Sequence, residues 1–98
     1  MEKYNITFKR SVTKDFISIP KQDVMRILDK IESLSDNPRS EGAIKIAGKE
    51  LYRIRQGTYR IVYEIFDRYL IVNVIKIGHR SNVYDSLLIS QKIDGQKI

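Results

Sequence analysis

The 98-residue sequence contains no cysteine. That excludes disulfides, thiolate nucleophiles and cysteine-ligated metal sites, and it fits a reducing cytoplasm. Histidine occurs once, which excludes a histidine-rich metal centre. No apolar run approaches the roughly 20 residues that span a bilayer. The opening segment MEKYNITFKR has no apolar signal region and reads as mature protein. The glycines are scattered and match no nucleotide-binding motif, and no serine stands in a nucleophile elbow. There is no repeat, low-complexity tract or linker, so residues 1–98 read as a single domain.

What is present is basic charge, unevenly placed. The composition is 42% hydrophobic and 31% charged, ordinary for a soluble globular chain, with a formal net charge of +6. Residues 1–38 hold seven Lys/Arg against six Asp/Glu, and residues 85–98 hold two of each. Residues 39–84 hold nine against four, and six of those nine are arginine. Arginine grips phosphate with a planar fork, so the second half suits an anionic partner such as nucleic acid or an acidic protein. A solvated basic face is the alternative reading.

Periodicity predicts an α+β fold: an N-terminal strand and a helical hairpin packed on a twisted, mainly antiparallel sheet of about four strands. YNITF (Tyr4 to Phe8) alternates as a short strand. SVTKDFISI is a short helix, with Ser11 as N-cap and an end before Pro20. From Pro20 to Asn37-Pro38 runs the longest helix, its apolar stripe at Val24, Ile27, Leu28, Ile31 and Leu34. A loop follows, with room for a short strand at Ala43 to Ile46. Three strands come next: Leu51 to Gln56, Tyr59 to Phe66 and Leu70 to Ile77. The first two join at Gly57-Thr58, a glycine-first pair suited to a type II′ turn, and the next turn lies near Asp67-Arg68. LIVNVIKI is apolar on both parities and reads as a central strand covered on both sides. The cover is the C-terminal segment (Val83, Leu87, Leu88) or another chain. The chain ends in a short helix or tail.

A two-residue turn at Gly57-Thr58 fixes a partition. Tyr52, Ile54, Tyr59, Ile61, Tyr63 and Ile65 share one face, suited to the helices. Leu51, Arg53, Arg55, Arg60, Val62 and Glu64 share the other, with Arg55 directly opposite Arg60. Opposed like charges are unfavourable, so the arrangement suits a bound anion. Carboxylates are sparse in the second half, which argues against a two-metal nuclease. RNA cleavage needs no metal, because RNA carries its own nucleophile in the 2′-hydroxyl. The protein need only align that attack, neutralise the phosphorane oxygens and manage protons. His79, Arg80 and Tyr84 stand beyond the last strand as further candidates, each also explicable as a structural residue.

LYRIRQGTYRIVYEI and IVNVIKIGHRSNVY together resemble the RelE/ParE toxin superfamily, and its RelE branch more closely. The likeness covers about Tyr4 to Tyr84 and rests on R-x-R-x-G-x-Y-R-x-x-Y followed by G-H-R-x-x-V-Y. It implies the toxin of a type II toxin–antitoxin system, an mRNA interferase that cuts messenger RNA on the ribosome without metal or cofactor. It further implies that Arg60 stabilises the phosphate in the transition state. Arg80 contacts the phosphate or assists the leaving group, and Tyr84 stacks on the nucleotide. Arg53 and Arg55 match positions that are lysine in some relatives. Arginine stays protonated and is a poor base, so both are read as phosphate-binding. His79 is the candidate for the unassigned base. The implied partners are a short acidic antitoxin, the ribosome and messenger RNA, in the cytoplasm and with no membrane. The alternative is a ParE-like toxin that inhibits DNA gyrase without nuclease activity.

Overall fold

The protein is described by a computed structural model over residues 3–46 and 50–79. Strand β1 (Asn5–Phe8) is followed by helices α1 (Val12–Ile17) and α2 (Lys21–Ser33). Then come β2 (Ile44–Lys45), β3 (Leu51–Gln56), β4 (Tyr59–Phe66), a 3-10 turn (Asp67–Tyr69) and β5 (Ile71–His79). They form one five-stranded sheet in the order β1-β5-β4-β3-β2. Only β1 and β5 run parallel, joined by most of the chain; the other pairs are antiparallel.

The helices begin without side-chain caps. Ser11 holds the cap position of α1, but its backbone is already helical and its hydroxyl makes no cap bond. The first amides are satisfied otherwise, by bonds from Val12, Thr13 and Lys14 to the carbonyls of Lys9, Arg10 and Ser11. Pro20 caps α2 through its carbonyl, which accepts from the amides of Asp23 and Val24. On α2 the buried stripe is narrower than the periodicity predicts. Ile27, Ile31 and Leu34 are buried, whereas Leu28 is 41% exposed. At 3.6 residues per turn Leu28 points about 80° away from the mean direction of Val24, Ile27, Ile31 and Leu34, toward exposed Met25.

The sheet is larger than about four strands, because residues 44–45 pair with Arg53 and Tyr52 as an edge strand. The central strand is β4, with β5 one place out. The core lies on the helix side, where Val12, Ile27 and Ile31 meet Ile54, Ile61, Tyr63 and Val74. Tyr63 is wholly buried, and its hydroxyl donates to the carbonyl of Pro38 at 2.6 Å. Burial pushes that phenol well above its ordinary pKa.

Two polar contacts fix the sheet margins. A bulge shifts the β4–β5 register between Val62, opposite Lys76, and Tyr63, opposite Val74. Asp15 of α1 closes the irregular stretch: its carboxylate accepts from the Ile77 amide at 3.0 Å and the Lys76 ammonium at 2.9 Å. At the opposite end Arg39 forks onto Asp67, with Nη1–Oδ1 at 3.0 Å and Nη2–Oδ2 at 2.7 Å. Its Nε donates to the Tyr52 hydroxyl, Nη2 also donates to Glu50, and the Tyr4 hydroxyl donates to Asp67. This clamp ties the loop after α2 to β1, to β3 and to the β4–β5 turn.

The Arg39 bonds, and next the Tyr4 hydroxyl, hold the Asp67 carboxyl down to about 2. A depressed carboxyl stabilises the fold above its unfolded pKa of about 3.9, and that contribution is lost as pH falls through about 2. The Asp67 side chain is half exposed, so Asp67→Asn is expected to cost about 0.5–1 kcal/mol at pH 7. Thermal unfolding followed by circular dichroism should show a deficit of a few degrees at pH 7. The deficit should close between about pH 4 and pH 2; a deficit constant with pH would refute the clamp's ionic character.

Candidate functional site

The β3–β4 hairpin turns in two residues. Gly57 has φ +62°, and the only described non-glycine with positive φ is Leu70. A positive φ at the first turn residue alone matches the type II′ geometry. Gln56 then pairs with Tyr59, Arg55 with Arg60 and Arg53 with Val62. Facing residues share a side, so Arg53, Arg55 and Arg60 stand together on the face away from the helices.

Their exposures differ. Arg55 is exposed, Arg60 is half-buried and Arg53 is only 6% exposed. On its other flank Arg60 pairs with Gly78 of β5, which presents no side chain there. The surface beside the Arg60 guanidinium is thus open over β5 at that register position. Guanidiniums stay protonated at any working pH and offer donors in a fixed planar fork. The cluster can grip a phosphodiester and neutralise charge that develops on it; it cannot accept a proton.

His79 is placed differently from the sequence expectation. It lies inside β5 rather than beyond the last strand, and it pairs with Tyr59. The two rings meet edge to face, 6.1 Å between centroids at 82°. Tyr59 packs against the core on the helix side, so His79 points away from the three arginines. Desolvation first, and then the neighbouring Asp23 carboxylate, push the Tyr59 hydroxyl above its ordinary pKa. Arg80 and Tyr84, and the cover assigned to Val83, Leu87 and Leu88, lie outside the described residues. Beside α2 and the hairpin tip is a shallow depression of about 320 Å³ lined by Arg26, Asp29, Lys30, Ser33 and Gln56. Its charges are mixed, unlike those of the arginine face.

One arrangement on the arginine face was not apparent from sequence. Thr7, Asn73, Glu64 and Leu51 lie in one row across four strands. The Thr7 hydroxyl donates to Asn73 Oδ1 at 2.8 Å, and Asn73 Nδ2 donates to Glu64 Oε1 at 3.2 Å. Polar alternation in YNITF and IVNVIKI was the available signal, but it does not reveal that these two strands pair.

Comparison with known proteins adds the family. The model described as "ParE toxin of type II toxin-antitoxin system, parDE" matches residues 6–84. A RelE-like toxin protein of Escherichia coli is 31% identical over 88 residues, 85% of this chain and 92% of that protein. A chain of the RelB–RelE antitoxin–toxin complex from Methanococcus jannaschii superposes with TM-score 0.65 at 29% identity, covering 82% of this chain and 96% of its own. A chain of the toxin–antitoxin complex RelBE2 from Mycobacterium tuberculosis gives TM-score 0.73 at 22% identity, covering 84% of this chain and 97% of its own. At that identity the likeness is one of fold.

The opposed pair Arg55–Arg60 makes a prediction of its own. Arg55→Thr removes one like charge and suits a strand. Its unfolding temperature should rise by about 1–4 °C at low ionic strength, since the relief is worth a few tenths to about 1 kcal/mol. At about 0.5 M salt most of the gain should vanish through screening. A loss of stability under both conditions would mean that the pair is not repulsive in the folded protein.

Proposed function

The chain belongs to the ParE toxin family of type II toxin–antitoxin systems as a RelE-like toxin, and we propose that it acts by cutting messenger RNA on the ribosome. The reading rests on one observation: Arg55 and Arg60 face each other across the hairpin, with Arg53 on the same side. Two opposed guanidiniums are unfavourable by themselves and favourable around a phosphodiester.

In this mechanism the 2′-hydroxyl attacks the adjacent phosphorus, and the 5′-oxygen leaves, giving a 2′,3′-cyclic phosphate end. No water enters the first step, and no metal or cofactor is required. Arg60 donates to the phosphorane oxygens, where the added negative charge appears. Arg53 and Arg55 hold neighbouring phosphates and keep the strand in register for in-line attack. Arg80 contacts the phosphate or the departing oxygen, and Tyr84 stacks on the nucleotide. His79 binds RNA at the rim rather than at the scissile phosphate, since it points to the other side of the sheet. The general base is then supplied by the ribosome–message complex or by a group beyond the described residues.

Residues 1–98 act as one toxin unit in the cytoplasm, where translating ribosomes are found. The net charge of +6 and the arginine face suit a short acidic antitoxin segment as inhibitor. Structural relatives include complexes of RelE with RelB, which supports that partner. The family description names ParE, and this favours weighing a second reading: a toxin that inhibits DNA gyrase and cuts no RNA.

Induction in bacterial cells separates the two. Arrest of protein synthesis with new ends inside translated messages is expected; filamentation and DNA damage with intact messages would favour the gyrase reading. In a translating extract, Arg60→Ala should lower the cleavage rate by about a hundredfold or more, the scale of losing one transition-state donor. Primer extension measures the rate and circular dichroism checks the fold. A loss below about fivefold would remove Arg60 from its assigned role.

A further inference from the structure

A carboxylate stands on the arginine face. Glu64 lies four residues along β4 from Arg60, on the same parity. Among the described strand residues whose register places them on this face, it is the only acid. It belongs to none of the ion pairs among the described residues. Simple charge relief for the arginines therefore does not account for it.

The hydrogen-bond chain that holds Glu64 has a direction. An ionised carboxylate only accepts, so Asn73 must turn its amide nitrogen toward Glu64. The amide oxygen then faces Thr7, whose hydroxyl must donate. Three strands thus fix one carboxylate, which is half-buried. Asn73 occupies one acceptor site on Oε1, and Oε2 makes no hydrogen bond among the described residues. The result is an immobilised acceptor in a field of donors.

Such a group repels phosphate and takes hydrogen-bond donors. On single-stranded RNA those donors lie on the base edges. Guanine offers two neighbouring donors, the N1 imino and N2 amino groups, which match the two oxygens of a carboxylate. Cytosine and adenine each offer one amino group beside an acceptor. Uracil offers one imino group between two carbonyls that repel the carboxylate. The separation of Glu64 from Arg60 is about 13 Å along the strand, beyond the reach of the nucleotide whose phosphate sits at Arg60.

We propose that Glu64, positioned by Asn73 and Thr7, reads a guanine that flanks the cleaved phosphate and disfavours uracil there. The inference rests on the endoribonuclease reading and adds base selectivity to it. Arg60 belongs to the step of bond cleavage, and Glu64 to the choice of where that step occurs. Asn73 and Thr7 are positioning residues, since they act through the carboxylate.

The test uses the full chain in a translating extract with messages randomised around the cut sites, the 5′ ends being mapped by sequencing. The unsubstituted protein should enrich guanine over uracil by about tenfold at one flanking position, the scale of one bidentate base contact. Glu64→Gln should abolish that enrichment while the summed cleavage rate changes less than about threefold. Asn73→Ala should weaken the enrichment, because the carboxylate is no longer held. If Glu64→Gln fails to fold by circular dichroism, Glu64→Asp keeps the charge on a shorter arm and should reduce the enrichment instead. An unchanged base profile, or an equal loss of cleavage at every sequence, overturns the proposal while leaving the nuclease reading intact. Absence of cutting by the unsubstituted protein overturns the nuclease reading and this inference with it.

Discussion

The register of the β3–β4 hairpin is the constraint on which the rest depends. Side chains alternate with period two, so a slip of one residue would exchange the two faces of a strand. Ile54, Ile61 and Tyr63 would then meet solvent, and Arg53 and Arg60 would enter the core. The penalty for burying guanidiniums against Ile27 and Ile31 is far larger than any gain from relieving the Arg55–Arg60 pair. The same apolar residues that stabilise the fold therefore force the arginines together. Gly57, at φ +62°, sets the two-residue turn that makes this register accessible.

Polar groups then secure the margins that the apolar core does not reach. The bulge in β5 is tied to α1 by Asp15. At the other end Arg39 links three parts of the chain through Asp67, Glu50 and Tyr52. Tyr63 adds an anchor from below, by donating to Pro38 just before Arg39. Arg39 and the face arginines are chemically identical, yet their surroundings separate them. Arg39 is matched by two carboxylates, whereas Arg55 and Arg60 oppose each other. One guanidinium closes the fold, and the others are directed toward an external anion.

The strand parity was legible from the sequence because YRIRQ and YRIVYEI alternate cleanly on either side of a glycine. The helices were legible in existence, less so in detail. Leu28 shares the spacing of the buried stripe but sits at its edge, and periodicity alone does not distinguish edge from centre. His79 was misjudged because Gly78 looks like a strand terminator. In the fold Gly78 continues the ladder opposite Arg60, and this carries His79 to the helix side. Arg39 read only as charge in a loop, since its partners lie 11 to 28 residues away. The Thr7–Asn73 contact spans 66 residues and exists only because β1 and β5 pair in parallel. Such a pairing joins two strands that carry no local signal of each other.

Placing Arg60 and Glu64 on one strand has a consequence for recognition. Both positions project from β4, the central strand, which is bonded on each side by its neighbours. Their separation is set by the rise of an extended backbone, which varies little. A loop could not hold two groups at a constant spacing with comparable rigidity. A phosphate clamp and a base-edge acceptor carried on one rigid strand measure out a fixed length of RNA. Selectivity then follows from which base falls at that distance, and not from any tightening of the clamp. Affinity for the phosphate backbone and preference for a base can be altered separately, because different side chains on the same strand carry them.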